Sequence, residues 1–431
     1  MRAGCIALAF ALLASALGAL PARAADATLL QGALPHGGTY FLQRDPEVAG
    51  AAVELWFRAP SDGYDGATPG IAQLAAVSVA AVPLAAGRSL IDFLHSVGGR
   101  FFVAVYPDMV SVSAMVPASA ARRTIATMTA AYFAPTVNQN ALTIAQRDEA
   151  LLAIERKYSS ELALHDVAFQ QLFSSGPAHR SPLADSTAPA AAPSLDAIGA
   201  FARRAFRGSN ALLSVAGNVD VAAFDAVTDG DGPNAIDPPY DSPVDPTPQD
   251  LSQTGSVDGI GLAWSGPPIS DEKAATALDF VNDYLFDDGT GTLQRDAASS
   301  STQLTGQFVT LHEPGVMIVT ISGPNADAAR LRVLAAIAAL GQPLDSATFA
   351  AAQRAFVYHT LSKSQPLEAA ADNVGWYAAQ DDAAYAPGNP DGTYLRDARS
   401  LDPAYVARIV RTFLKTPIVV RLATAANGSP S

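Results

Sequence analysis

The sequence predicts an α+β protein made of two similar halves, the product of an internal duplication, and three observations carry that expectation. Strand-like and helix-like segments run in the same order twice along the chain. Short words recur at nearly one spacing: Ala145-Gln146-Arg147 returns as Ala352-Gln353-Arg354, Ser194-Leu195-Asp196 as Ser400-Leu401-Asp402, and Arg204-x-Phe206 as Arg411-x-Phe413, at offsets of 207, 206 and 207 residues. Between the halves, residues 228–250 are rich in proline, glycine and aspartate and lack apolar periodicity, as a linker would be.

The chain opens with Arg2, an apolar run from Gly4 to Leu20, and the small-x-small pattern Ala22-Arg23-Ala24. That is the pattern of an export signal cleaved after residue 24, too short and too soon interrupted by Pro21 to span a membrane comfortably. The first domain is then expected over 25–227. "AAVELWFRA" alternates as a strand, residues 70–83 read as a buried helix, and "RSLIDFLHSVGG" as a second helix with a glycine stop. "FFVAVY" and "MVSVSAMV" make a strand pair. "SAARRTIATMTAAYF" follows as an amphipathic helix, and "TIAQRDEALLAIERKYSSELA" as one longer helix. "ALLSVAG" closes the half as a strand.

The second domain, 251–425, repeats this order. "IGLAWSG" is a strand, and "DEKAATALDFVNDYLF" is a helix with acids at its positive end. "QLTGQFVT" and "GVMIVTISG" are a strand pair, "ADAARLRVLAAIAAL" and "SATFAAAQRAFVYHTLSKS" are helices, and "PIVVRLA" is the closing strand, before a tail at 426–431. The linker's "DGDG" lacks a carboxylate at the twelfth position of a calcium-binding loop, so no such loop is expected there.

Charge and cysteine narrow the function classes. Loss of the signal removes Arg2 and Arg23, leaving 25 basic against 41 acidic residues, a balance of −16. Nucleic acid and anionic membrane surfaces are poor partners for such a chain. The single cysteine, Cys5, leaves with the signal, so neither disulfides nor thiolate chemistry is expected. No other run is apolar and long enough to cross a membrane. The expected location is the periplasm or the medium of a bacterium.

"LPHGGTYFLQRDPEVAGAAVELWFRAPS", Gly70-Ile71-Ala72, Gly98-Gly99-x-Phe101 and "LLSVAGNVD" stand in the order and spacing of the insulinase-like (pitrilysin) metallopeptidases, which include the mitochondrial processing peptidase. The chain resembles that family over nearly its whole mature length. The resemblance implies two homologous domains, each a sheet covered by helices, facing each other across a cavity. It also implies a zinc helix carrying His-x-x-Glu-His, where two histidines hold the metal and the glutamate polarises a water, with a distal glutamate as third ligand. After Gly70-Ile71-Ala72 the three motif positions fall on Gln73, Ala76 and Val77, so both histidines and the base are missing. Only Glu155 lies where the distal glutamate could be.

Nor does another zinc site suggest itself. The six histidines, His36, His95, His165, His179, His312 and His359, are never closer than fourteen residues. The family's substrate-binding arginine–tyrosine pair falls on Ala298 and Thr305; Arg295 is close by, as a helix-face charge, and no tyrosine lies between Tyr284 and Tyr358. The resemblance therefore implies a member without catalytic residues, metal ligands or cofactor. Such members serve as metal-free subunits beside an active insulinase-like chain, and that is the leading expectation. An alternative is an independent module that grips unfolded or extended peptides along an exposed strand edge, which the resemblance places at Phe102, Val103 and Ala104. A third is a zinc endopeptidase with an unrecognised metal site.

Overall fold

The computed structural model describes residues 29–34, 38–58, 70–85, 87–106, 108–173, 193–227, 249–297, 301–387, 389 and 392–424. The expected signal (1–24), nearly all of the linker and the tail (426–431) lie outside the described residues, as do His36, His179 and Ala298.

The first half runs β1 (Leu29–Ala33), β2 (Thr39–Arg44), β3 (Gly50–Arg58), α1 (Ile71–Ala81), α2 (Leu90–Ser96), β4 (Arg100–Val105), β5 (Met109–Pro117), α3 (Ala121–Tyr132), α4 (Gln139–Tyr158), α5 (Ser160–Leu172), α6 (Leu195–Ala205) and β6 (Ala211–Gly217). Its six strands lie in the order β1-β2-β6-β3-β5-β4. The second half runs β7 (Asp250–Gly255), β8 (Gly259–Ser265), α7 (Glu272–Phe286), α8 (Thr292–Ala297), β9 (Gln303–Val309), β10 (Val316–Ser322), α9 (Ala326–Leu340), α10 (Ser346–Lys363), α11 (Leu367–Ala379), α12 (Thr393–Ser400), α13 (Pro403–Phe413) and β11 (Ile418–Thr424). Its five strands lie in the order β7-β11-β8-β10-β9. With β1 set aside the two orders correspond strand for strand. In each sheet the closing strand pairs parallel with the opening one, and every other pairing is antiparallel. This is a mixed α+β fold with two sheets.

The long helix expected across "AIERKYSSELA" is two helices. Ser159 is extended, at φ −80° and ψ 118°, and its hydroxyl accepts from the Leu162 amide at 3.3 Å. A serine that satisfies an orphan amide in this way starts a new helix. The break redirects the chain, because α4 stays against α1 while α5 crosses to pack on β8, β10 and β11 of the second sheet. Conversely α11, a helix not foreseen from the sequence, packs on β3 and β6 of the first sheet. Both helices have thirteen residues and begin 207 residues apart.

Shape complementarity makes both crossings possible. A Cβ on Gly261 of β8 would lie 2.9 Å from the Ala168 methyl and the Leu164 carbonyl of α5, so only glycine lets that helix settle. Burial holds the exchange in place. Leu164, Ala168, Phe169 and Phe173 join Ile318, Ile418 and Val420 in one core, and each fully buried large apolar side chain contributes roughly 1.5–3 kcal/mol. On the other side, Trp56, Tyr106 and Trp376 form an aromatic group, Tyr106 and Trp376 meeting edge to face at 4.6 Å. Arg58 adds a hydrogen bond from Nε to the Ala379 carbonyl at 2.6 Å. Among the described residues no helix is long and apolar enough to cross a membrane.

Candidate functional site

Helix α1 carries the three positions that the resemblance aligns with the zinc motif, and packing and hydrogen bonds surround it. Gly70 enters it at φ +77°, a left-handed conformation that favours glycine. All eleven helical residues are buried, so no face is left to solvent. Gln73 points its amide at α4, where Nε2 donates to Asp148 Oδ2 at 3.5 Å. Ala76 is fully buried, and its carbonyl accepts the Tyr132 hydroxyl at 2.8 Å. Burial pushes the Tyr132 phenol well above its usual range, so it stays a neutral donor. Val77 lies in the core of the first half.

Those residues do not fit zinc. The three motif positions offer one amide, one methyl and one isopropyl group, with no imidazole and no base. The distal position also needs correction. Glu155 is exposed near the end of α4, while the carboxylate facing Gln73 is Asp148, about two turns earlier. Glu149, next to it, approaches Gly70, and burial raises its carboxyl above the ordinary value. Spacing alone missed this, because residues seven apart share one helical face, about 10 Å apart along the axis, and only the register of α4 against α1 decides which of them meets Gln73.

Phe102, Val103 and Ala104 all lie on β4, the edge strand of the first sheet. β4 pairs with β5 through Phe102↔Ser113, Val103↔Val112 and Ala104↔Ser111, and among the described residues no strand pairs with its other side. Side chains alternate along a strand. Val103 packs against the first core, whereas Phe102 is 42% exposed. An edge strand offers unpaired backbone donors and acceptors to an added segment. In the second half, Arg295 is exposed on α8, and Thr305 sits on β9, the edge of the second sheet. No arginine–tyrosine pair is assembled there among the described residues.

One group missed in the sequence lies elsewhere. Asp283, Asp287 and His359 bring their oxygen and nitrogen atoms within 4.8 Å of one another, the only such group found among the described residues. The histidine spacing concealed it, because its carboxylate partners lie 72 and 76 residues earlier on another helix. The signal was nevertheless present. Asp-x-x-x-Asp at the C-terminal end of α7 and His-x-x-x-Lys on α10 each bring two side chains to one side of their element.

Comparison with solved structures gives the fold. The chain is similar to a protease from Helicobacter pylori, with TM-score 0.77 and 15% identity over 92% of this chain and 99% of that one. It is also similar to the inactive domain of a peptidase M16 from Pseudomonas fluorescens (TM-score 0.71, 16% identity, 93% and 100% covered). A third similar structure is that of an M16-like protein from Alicyclobacillus acidocaldarius (TM-score 0.72, 13% identity, 92% and 98% covered). The chain therefore has the insulinase-like fold. No family model matches it, and no curated protein matches it.

Proposed function

We propose that the chain is an exported, non-catalytic homologue of insulinase-like zinc peptidases that serves as the subunit or scaffold of a two-chain peptidase, free of catalytic metal. On this reading its halves arose by internal duplication and face each other across a cavity, to which the chain contributes one wall while an active partner carries His-x-x-Glu-His. The observation that carries the proposal is α1. The helix packs against α4, α6 and β4 while Gln73, Ala76 and Val77 fill the ligand and base positions with packing and one hydrogen bond. A similar fold in an inactive M16 domain supports it. The test is the native mass and composition of the mature protein, captured from the envelope fraction of its own cells. A stable complex with a second chain of similar size bearing His-x-x-Glu-His is expected. Recovery alone, or as a homo-oligomer, would overturn the proposal.

A second reading is favoured by β4. Its open edge and the exposed Phe102 suit an independent module that adds an unfolded or extended peptide as a further strand, with backbone hydrogen bonds supplying affinity. In that case the isolated chain binds such peptides, and chelators leave binding unchanged.

A further inference from the structure

We infer that Asp283, Asp287 and His359 form a binding site for one divalent transition ion of the zinc class, at a place unrelated to helix α1. Asp283 and His359 come from two facing helices, α7 and α10, and Asp287 is the residue that follows α7. His359 Nδ1 lies 3.0 Å from both oxygens of Asp283 and 3.8 Å from Oδ1 of Asp287. Ligands around a tetrahedral zinc lie about 2.0–2.2 Å from the metal, hence roughly 3.3 Å apart, so these three atoms need only small rotations to surround an ion. An imidazole with two carboxylates selects zinc-like ions over calcium or magnesium, which take oxygen alone.

The ligand atoms are prepared for the task. The side chains of Asp283, Asp287 and His359 are 11%, 9% and 14% exposed. Asp287 is fixed by the turn that follows α7. Its Oδ2 accepts from the Gly289 and Thr290 amides, both at 3.2 Å, and from the Thr290 hydroxyl at 3.0 Å, which leaves Oδ1 facing the cluster. Oδ1 holds the ammonium of Lys363 at 2.8 Å, with the His359 ring nitrogen at 3.8 Å. That lysine is 67% exposed, so its head group can swing into water and vacate the position at little cost. Three protein ligands then leave a fourth position for water, where the ammonium now sits.

The test uses the full mature chain, titrated with zinc by calorimetry and with cobalt(II) by visible absorption. One ion per chain is expected, with the intense absorption of tetrahedral cobalt. His359→Ala should weaken binding by about 100-fold or more, since loss of an outer-shell partner alone typically costs about 10–100-fold. Lys363→Met should tighten binding by roughly tenfold, by the same scale, because it removes the competing cation. Lys363 is exposed, so that variant folds even if His359→Ala does not, and the two effects have opposite signs. Absence of binding in both the parent chain and Lys363→Met, or binding that His359→Ala leaves unchanged, would overturn the assignment.

Discussion

Gly375 of α11 lies directly against the indole of Trp56 on β3, so close that an added Cβ would come within 2.6 Å of Cε2 and overlap Nε1. This contact joins the end of the chain to the beginning. Trp56 is fully buried, and Glu54, Tyr106 and Trp376 surround it. The position without a side chain on one half is therefore what seats its helix on the sheet of the other.

Gly375→Ala tests that seating. In an exposed helix the change would gain roughly 1 kcal/mol of helix propensity. Here the methyl meets a rigid buried ring, and overpacking of that kind costs about 1–3 kcal/mol. The expected outcome is net destabilisation and a shift in tryptophan emission, checked by denaturant titration followed by fluorescence. Stability equal to or above the parent's would show that the contact is loose.

Buried carboxylates at the same junction make it sensitive to pH. Glu54 is 2% exposed, and burial, reinforced by Asp372 and Glu368 of α11, holds its carboxyl well above the ordinary range. Burial likewise raises Asp372 to about 6, with Glu368 adding to the effect. An acid whose folded value exceeds its unfolded one keeps its proton longer in the native state, so stability falls as pH rises between the two values. The junction should therefore weaken from about pH 4 upward through pH 6. Asp372→Asn should remove that loss and raise stability at pH 8 by about 1–3 kcal/mol, given about 1.4 kcal/mol per unit, with little effect at pH 4. Urea titrations at the two pH values measure it; an equal change at both would refute the electrostatic origin.

Ala76 reports on whether packing has replaced chemistry in α1. Ala76→Glu places at this position the acid that the zinc motif would carry, but into a fully buried site packed in the apolar core of the first half. A buried carboxyl without partners costs several kcal/mol or stays protonated. The variant should lose more than about 3 kcal/mol of stability or fail to fold, by thermal melting. A near-neutral result would mean that a polar cavity remains beside the helix.

Much of this architecture was legible in the sequence, for definable reasons. Alternation marked β3, strand-like apolar segments marked β5, β8 and β10, and helix-like segments marked α3 and α9, because each element has one environment over its whole length. The repeated words pointed to a recurring order of elements, and β6 and β11 begin 207 residues apart. What escaped depends on long-range contacts. Nothing local says that α5 leaves its own half at Ser159, or that α11 exists to cover Trp56. In the site, the absence of histidine and glutamate at Gln73, Ala76 and Val77 was plain in the sequence. By contrast, the approach of Asp148, not Glu155, to Gln73 depends on the helix-to-helix register, and the meeting of His359 with Asp283 depends on two helices packing face to face.

Phe102 offers a handle on the strand edge. Phe102→Lys leaves the β4–β5 pairing intact, because this side chain is largely exposed, and adds the kind of charge that blunts an open edge. If extended peptides bind there, fluorescence anisotropy with a labelled unstructured peptide should show about a tenfold loss, the equivalent of roughly 1.4 kcal/mol. Unchanged binding would move the peptide site elsewhere.

The most direct measurement is hydrolysis of a quenched-fluorescent unstructured peptide by the purified mature chain alone, in the presence of zinc and then of a chelator. A non-catalytic homologue predicts no turnover above buffer in either condition, whatever ion occupies the Asp283–Asp287–His359 cluster. Cleavage that follows the chain through gel filtration and disappears with the chelator would contradict the account.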